Sequence, residues 1–206
     1  MRAIAAVGSL EALSDVLKRD EPISLGPGTD VVVLPTAAAF SGAEVSSIDL
    51  ASIFEARGAK VEALMNTNRT SSNEPYFAAR LRDADVVVLG DGSVLHARSV
   101  WRESLVGEAI RCARLVVAVG SVASVLGLVM IDPRGGAPTN GLGCFEGVAL
   151  SVAASDEQLA RTRTLLGDEQ TLVVLGPRGA VHFDGTAWRV LSADVVTTRG
   201  ARPVEF

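Results

Sequence analysis

The chain has 206 residues, 48% of them hydrophobic and only 4% aromatic, with 24 acidic side chains against 19 basic ones and a formal net charge of -5. That length buries about 70% of the surface an unfolded chain exposes, enough for one domain spanning residues 1–206 without disulfide or metal support. The negative balance offers no basic field for phosphate backbones or anionic headgroups, so neither nucleic acid nor a membrane surface is expected as a partner.

Cys112 and Cys144 are the two cysteines, in no spacing that makes a metal site, a redox motif or a disulfide framework. No apolar run approaches the roughly 20 residues of a membrane helix. The N-terminal MRAIAAVGSL has an Arg and then an apolar stretch shorter than a signal peptide's apolar segment, so no signal peptide is expected. The expectation is a cytoplasmic protein.

In chain order, a strand is predicted at Ile4–Val7 and a helix over Leu10–Lys18, after a break at Gly8-Ser9. Short β-branched runs then predict strands at Val31–Leu34, Lys60–Met65, Asp85–Leu89 and Leu115–Val119. Helical spacing fills the intervals: Val45–Arg57, Tyr76–Arg82 and one long helix, Val94–Arg111. This alternation predicts right-handed crossovers and an α/β fold, a three-layer, doubly wound, mainly parallel flavodoxin-like sheet. MIDPRGGAPTNGLG, from residue 130, reads as a loop. Beyond it lie a strand at Val148–Val152, a helix at Asp156–Leu166, and short runs at Leu172–Leu175, Ala180–Phe183 and Trp188–Leu191. Turns at Pro177–Gly179 and Asp184-Gly185 predict antiparallel hairpins at the sheet's edge.

Ligands of open α/β sheets bind beyond the carboxyl ends of the strands. Those ends carry Pro35-Thr36-Ala37, Asn66-Thr67-Asn68, Gly90-Asp91-Gly92 and Gly120-Ser121. The Pro35-Thr36 end has no glycine-rich phosphate cradle, so no flavin or nucleotide cofactor is expected. Val119-Gly120-Ser121-Val122-Ala123 follows a buried strand and precedes a predicted helix, the layout of a nucleophile elbow, with Ser121 as nucleophile. The Val122 amide and the turn at Gly90, Asp91 and Gly92 are the candidate oxyanion donors. Asp91 is also placed to cap the following helix or to orient His96. Acidic groups at Asp132 and Glu146 are read as loop carboxylates. Of the arginines at 98, 102 and 134, Arg134 in the glycine-rich loop is best placed to meet a substrate carboxylate.

The stretches VVVLPTAAA, RGAKVEAL, ADVVVLGDGS, LVVAVGSVASVLG and DPRGGAPTNGLG, in that order, resemble segments of the cyanophycinase and α-aspartyl dipeptidase family of serine peptidases. That family belongs to the class I glutamine amidotransferase-like proteins. The resemblance implies cleavage of a small peptide or amide next to acidic residues, a serine nucleophile with a histidine base, and a homodimer. The family's Gly-Thr-Ser-Ala-Gly falls on Val119–Ala123, and its Gly-Gly-Asp turn on Leu89-Gly90-Asp91. Val119 and Ala123 replace the outer glycines. The stretch that should carry the base, Val148–Ser155, has no histidine. Of the two histidines present, His96 is the candidate substitute and His182 reads as a half-exposed edge-strand residue. Two readings stand: a serine hydrolase built on Ser121, or a catalytically inactive relative acting as a small-molecule-binding or assembly protein.

Overall fold

The structure, a computed structural model, describes residues 3–19, 22–197 and 204–205. Five parallel strands form its centre: β1 (Ala3–Val7), β2 (Asp30–Leu34), β3 (Lys60–Ala63), β4 (Val86–Leu89) and β5 (Leu115–Val119), in the order β3-β2-β4-β5-β1. β2, β4 and β5 are short runs rich in valine, buried along nearly their whole length because both faces are covered, whereas the edge strand β3 is partly exposed. One face packs on α1 (Leu10–Leu17) and α2 (Ala43–Glu55) through Leu13, Leu17, Leu50 and Phe54. The other packs on α3 (Pro75–Asp83), α4 (Val94–Trp101) and α5 (Leu105–Cys112) through Leu81, Trp101 and Ile110. The strand order reverses direction between β2 and β4, which opens a crevice at their carboxyl ends.

The predicted helix Val94–Arg111 is two helices. Glu103 takes a left-handed φ of 56° between them, and Ser104 caps the second, its Oγ accepting from Gly107 N–H at 3.1 Å. Gly107 is required there, since a Cβ would sit 2.9 Å from the Trp101 carbonyl carbon. The segment after β5 is a six-residue 3-10 helix, Gly120–Val125, in place of the predicted α-helix. Within the predicted loop, β6 (Val129–Ile131) and β7 (Pro138–Asn140) make a small antiparallel ribbon.

β8 (Val148–Val152), α6 (Asp156–Leu166) and β9 (Thr171–Leu175) follow. The central sheet is completed by β10 (Ala180–Phe183), antiparallel to β1, then β11 (Trp188–Val190), and at its edge β13 (Val204–Glu205). The predicted 184–185 hairpin is present between β10 and β11. The turn at 177–179 makes no hairpin: β9 pairs in parallel with β8 and antiparallel with β12 (Val195–Thr197), forming a separate three-stranded sheet. The two sheets share one core, and beside it Phe145, just before β8, packs edge-on to Trp188 at 4.8 Å, which stacks on its cross-strand neighbour Phe183 at 5.0 Å. Among the described residues no helix is long and apolar enough to cross a membrane.

Candidate functional site

At the end of β5 the chain must turn sharply off the sheet. The residue that takes the left-handed conformation is Gly120, with φ 70°, while Ser121 lies one residue further on and is not among the left-handed positions. This shifts the elbow by one place. In a nucleophile elbow the reactive side chain stands on the strained turn residue itself, and here that residue has no side chain.

The space above Gly120 is taken by a neighbouring strand end. A Cβ built on Gly120 would lie 2.5 Å from the Oδ1 atom of Asp91. Asp91 follows β4, and three donors converge on its Oδ1: the amides of Gly92 at 2.7 Å and Ser121 at 2.8 Å, and the Ser121 hydroxyl at 2.7 Å. The Gly92 carbonyl is a second acceptor for that hydroxyl at 2.9 Å. Gly92 has to be glycine, since its φ is 145° and a Cβ would lie 2.5 Å from the Ala37 carbonyl carbon. Two amides from adjacent strand ends thus form an anion-binding pair, as expected of an oxyanion hole, and a carboxylate of the chain itself fills it. The predicted donor Val122 is not part of this pair; its side chain is wholly buried.

Gly90 serves packing, because a Cβ there would meet Ser46 Oγ at 3.0 Å and Leu50 Cδ1 at 3.1 Å on α2. Asp91 does not cap α4 and does not hold His96. Ser93 is the cap, its Oγ accepting from the His96 amide at 3.3 Å. His96 binds the Thr67 carbonyl through Nε2 at 2.9 Å and packs edge-on against Phe40 at 4.6 Å. Nε2 therefore carries the proton, because a carbonyl only accepts. Val94 shares a pocket with Ser121, and two residues further round a helix, at about 100° each, His96 faces the opposite way. The expected pairing of His96 with Ser121 is corrected on that ground. His182 lies on β10 opposite Ala5, only 7% exposed rather than half-exposed, and burial holds its pKa below the ordinary value of 6.5.

A pocket of about 80 Å³ opens on the other side of Ser121. Ser121 and Ser124 come from the 3-10 turn, Ser151 and Ala153 from the end of β8, and Asp132 and Pro133 from the glycine-rich loop. Ala153, at φ 53°, is one of two non-glycine residues with left-handed backbone among the described residues. This β8 end is where the resemblance places the base, and it offers Ser151, Val152 and Ala153, none of which takes a proton from a hydroxyl at neutral pH. The Arg134 guanidinium grips Asp132 (Nη2 to Oδ2, 2.6 Å) and holds its carboxyl down at about 2, and its side chain is otherwise 74% exposed. It is committed to the loop and does not line the pocket. Arg98 likewise donates to the Asn140 carbonyl, and Arg102 pairs with Glu103. Glu146 is exposed. Among the described residues no cluster of three or more histidine, cysteine, aspartate or glutamate side chains could hold a metal ion.

Sequence reasoning named Ser121, Asp91 and Gly92, which the structure brings together. It missed Gly120 as the turn residue and Ser151 as a pocket residue. The first signal was available: the β-branched run ends at Val119, so Gly120 is the first residue off the strand.

No protein-family model matches the chain, and no curated protein matches it. Among solved structures, a peptidase from an acI-B1 Actinobacterium is similar with a TM-score of 0.76 at 18% identity, covering 100% of this chain and 97% of that one. A candidate peptidase E from Listeria monocytogenes EGD-e is similar with a TM-score of 0.65 at 14% identity, covering 97% of this chain and 98% of that one. At these identities the shared property is the fold, a mainly parallel central sheet between helices with antiparallel strands toward one edge.

Proposed function

We propose that this chain is a peptidase-fold protein that binds a small ligand in the pocket beside Ser121 and does not hydrolyse peptide bonds through that serine. The fold shared with two peptidases motivates a peptidase-type site, in keeping with the cyanophycinase and dipeptidase resemblance. One observation carries the departure from hydrolysis. The turn position that should bear the nucleophile is Gly120, and the Asp91 carboxylate occupies both the space above it and the amide pair that an oxyanion would need. A tetrahedral intermediate would place its negative oxygen against that carboxylate, so the electrostatic term that normally favours acyl transfer opposes it here.

The alternative reading is a hydrolase of a small peptide or amide using Ser121. Its support is the 2.7 Å contact of the Ser121 hydroxyl with Asp91, a carboxylate within reach of the proton. A carboxylate is a weak base toward a serine hydroxyl, and an unassisted hydroxyl is a poor nucleophile at neutral pH.

The deciding experiment is treatment with a fluorophosphonate probe read by intact mass, on the wild-type chain and Ser121→Ala, beside a competent serine peptidase. The expected result is no adduct on either form. An adduct on wild type that disappears in Ser121→Ala would restore the hydrolase reading.

A further inference from the structure

The assignment of a ligand class rests on the binding reading of the pocket beside Ser121, and the donor and acceptor balance of that pocket makes the assignment. The Ser121 hydroxyl proton is spent on Asp91 Oδ1 or the Gly92 carbonyl, which leaves only lone pairs on its Oγ. The Ser124 hydroxyl donates to the Ser121 carbonyl at 2.9 Å and is left with the same acceptor capacity. Ser151 is 4% exposed and lines the pocket, and its hydroxyl has no hydrogen-bond partner among the described residues. Its Oγ is not among the sealed polar atoms without a partner, so it stays open to the pocket, where a ligand competes with water for it. Asp132 Oδ1 takes two N–H groups of Arg134, whereas Oδ2 takes one and keeps an acceptor place. Gln158 is engaged on both sides, donating to the Pro133 carbonyl at 2.6 Å and accepting from the Ser155 amide at 3.0 Å.

The remaining capacity is therefore mainly acceptor: Ser121, Ser124, Ser151 and one place on Asp132, against the Ser151 hydroxyl proton and one amide hydrogen of Gln158. The walls beside these groups are short and apolar, from Val94, Ile131, Val152 and Ala153. A ligand that meets three of these four acceptors in about 80 Å³ carries three N–H donors on one small head and a body of two or three carbons.

We infer that the cavity between the β5 and β8 ends is a binding site for a small primary amine or ammonium group on a short apolar body, with Ser151 as its buried recognition residue. A small carboxylate is disfavoured, because it brings only acceptors to acceptors and sits beside Asp132.

The test is an amide NMR titration of the whole chain with ethylammonium chloride, with sodium propionate as the matched anion at equal ionic strength. Ethylammonium is expected to shift the Ser121, Ser151 and Ala153 amides saturably, with a Kd of about 1 mM, near the ceiling for three non-hydrogen atoms. Propionate is expected to leave them unmoved. Ser151→Ala is expected to weaken the amine about 3- to 10-fold, the worth of one hydrogen bond. Ser151→Cys, which keeps the volume, is expected to give a loss of similar size and stands in if Ser151→Ala does not fold. Propionate binding as well as the amine, no saturable shift at these amides, or unchanged affinity in the folded variants would each overturn the inference. A failed titration with no fluorophosphonate adduct removes this inference alone, whereas an adduct on Ser121 removes the binding reading beneath it.

Discussion

Gly120→Ala places a methyl group where the Asp91 carboxylate now lies, and its cost divides into two parts. A left-handed φ of 70° costs a non-glycine residue about 1–2 kcal/mol. The methyl, 2.5 Å from Oδ1, also evicts the carboxylate, which gives up its hydrogen bonds from Gly92 and Ser121. Asp91 is exposed, so water re-solvates the released groups and the net loss is about 1–2 kcal/mol, below the value of buried charged hydrogen bonds. Gly120→Ala should therefore cost about 2–4 kcal/mol, and Asp91→Ala alone about 1–2 kcal/mol. The double variant has nothing left to evict and should match Gly120→Ala within about 0.5 kcal/mol, a coupling of about 1–2 kcal/mol. Urea denaturation of all four proteins, read as midpoint and m value, measures this cycle. Strict additivity, with the double variant worse than Gly120→Ala by the full cost of Asp91→Ala, would show that the carboxylate does not occupy that space and would remove the main argument against catalysis.

Two more perturbations probe the same strand ends and the core. Gly92→Ala should destabilise by about 3 kcal/mol or more in the same assay, since its Cβ meets the rigid backbone of Ala37 and Ala38 rather than a movable side chain; a loss under about 1 kcal/mol would contradict the turn geometry. Burial lowers the His182 pKa, with Asp184 opposing that shift and Arg189 reinforcing it, so the folded state binds fewer protons than the unfolded state below pH 6.5. Stability should therefore be level above that pH and fall as pH drops below about 6.5, and His182→Gln should flatten this fall in the urea midpoint.

The central sheet was legible because its strands obey one local rule. Val31–Leu34 and Leu115–Val119 are unbroken β-branched or apolar runs that end at a proline or glycine, and the structure ends them there. The errors lie where local patterns leave the geometry open. Helical spacing continues from Val94 through Arg111, so the break at Glu103 is invisible until the approach of Gly107 to Trp101 is seen. The turn at Pro177–Gly179 is a sound turn signal, but which strand β9 joins is decided by the long-range partners β8 and β12. At the site, residue type pointed to Ser121, while the position that matters is defined by a backbone angle one residue earlier. The meeting of Asp91 with the Gly120-Ser121 turn joins two strand ends, Asp91 and Ser121 being 30 residues apart in sequence, a contact that the β4–β5 pairing creates.

The pocket beside Ser121 has one wall on the 3-10 turn after β5, with Ser121, and the other on β8, with Ser151, strands that belong to different sheets. β5 and β8 are not paired with each other, and the backbone ties the two walls just outside these strands, where the Leu128 amide donates to the Phe145 carbonyl and the Cys144 amide to the Leu126 carbonyl. Phe145, which carries one of these links, also packs against Phe183 and Trp188 of the central sheet. A volume change at Phe145, which is not among the residues that line the pocket, would therefore reach the opening through this backbone link while leaving its hydroxyl-bearing residues unchanged in sequence. In such an architecture, descendants of one ancestor can diverge in the bulk of what they accept while keeping the same polar recognition.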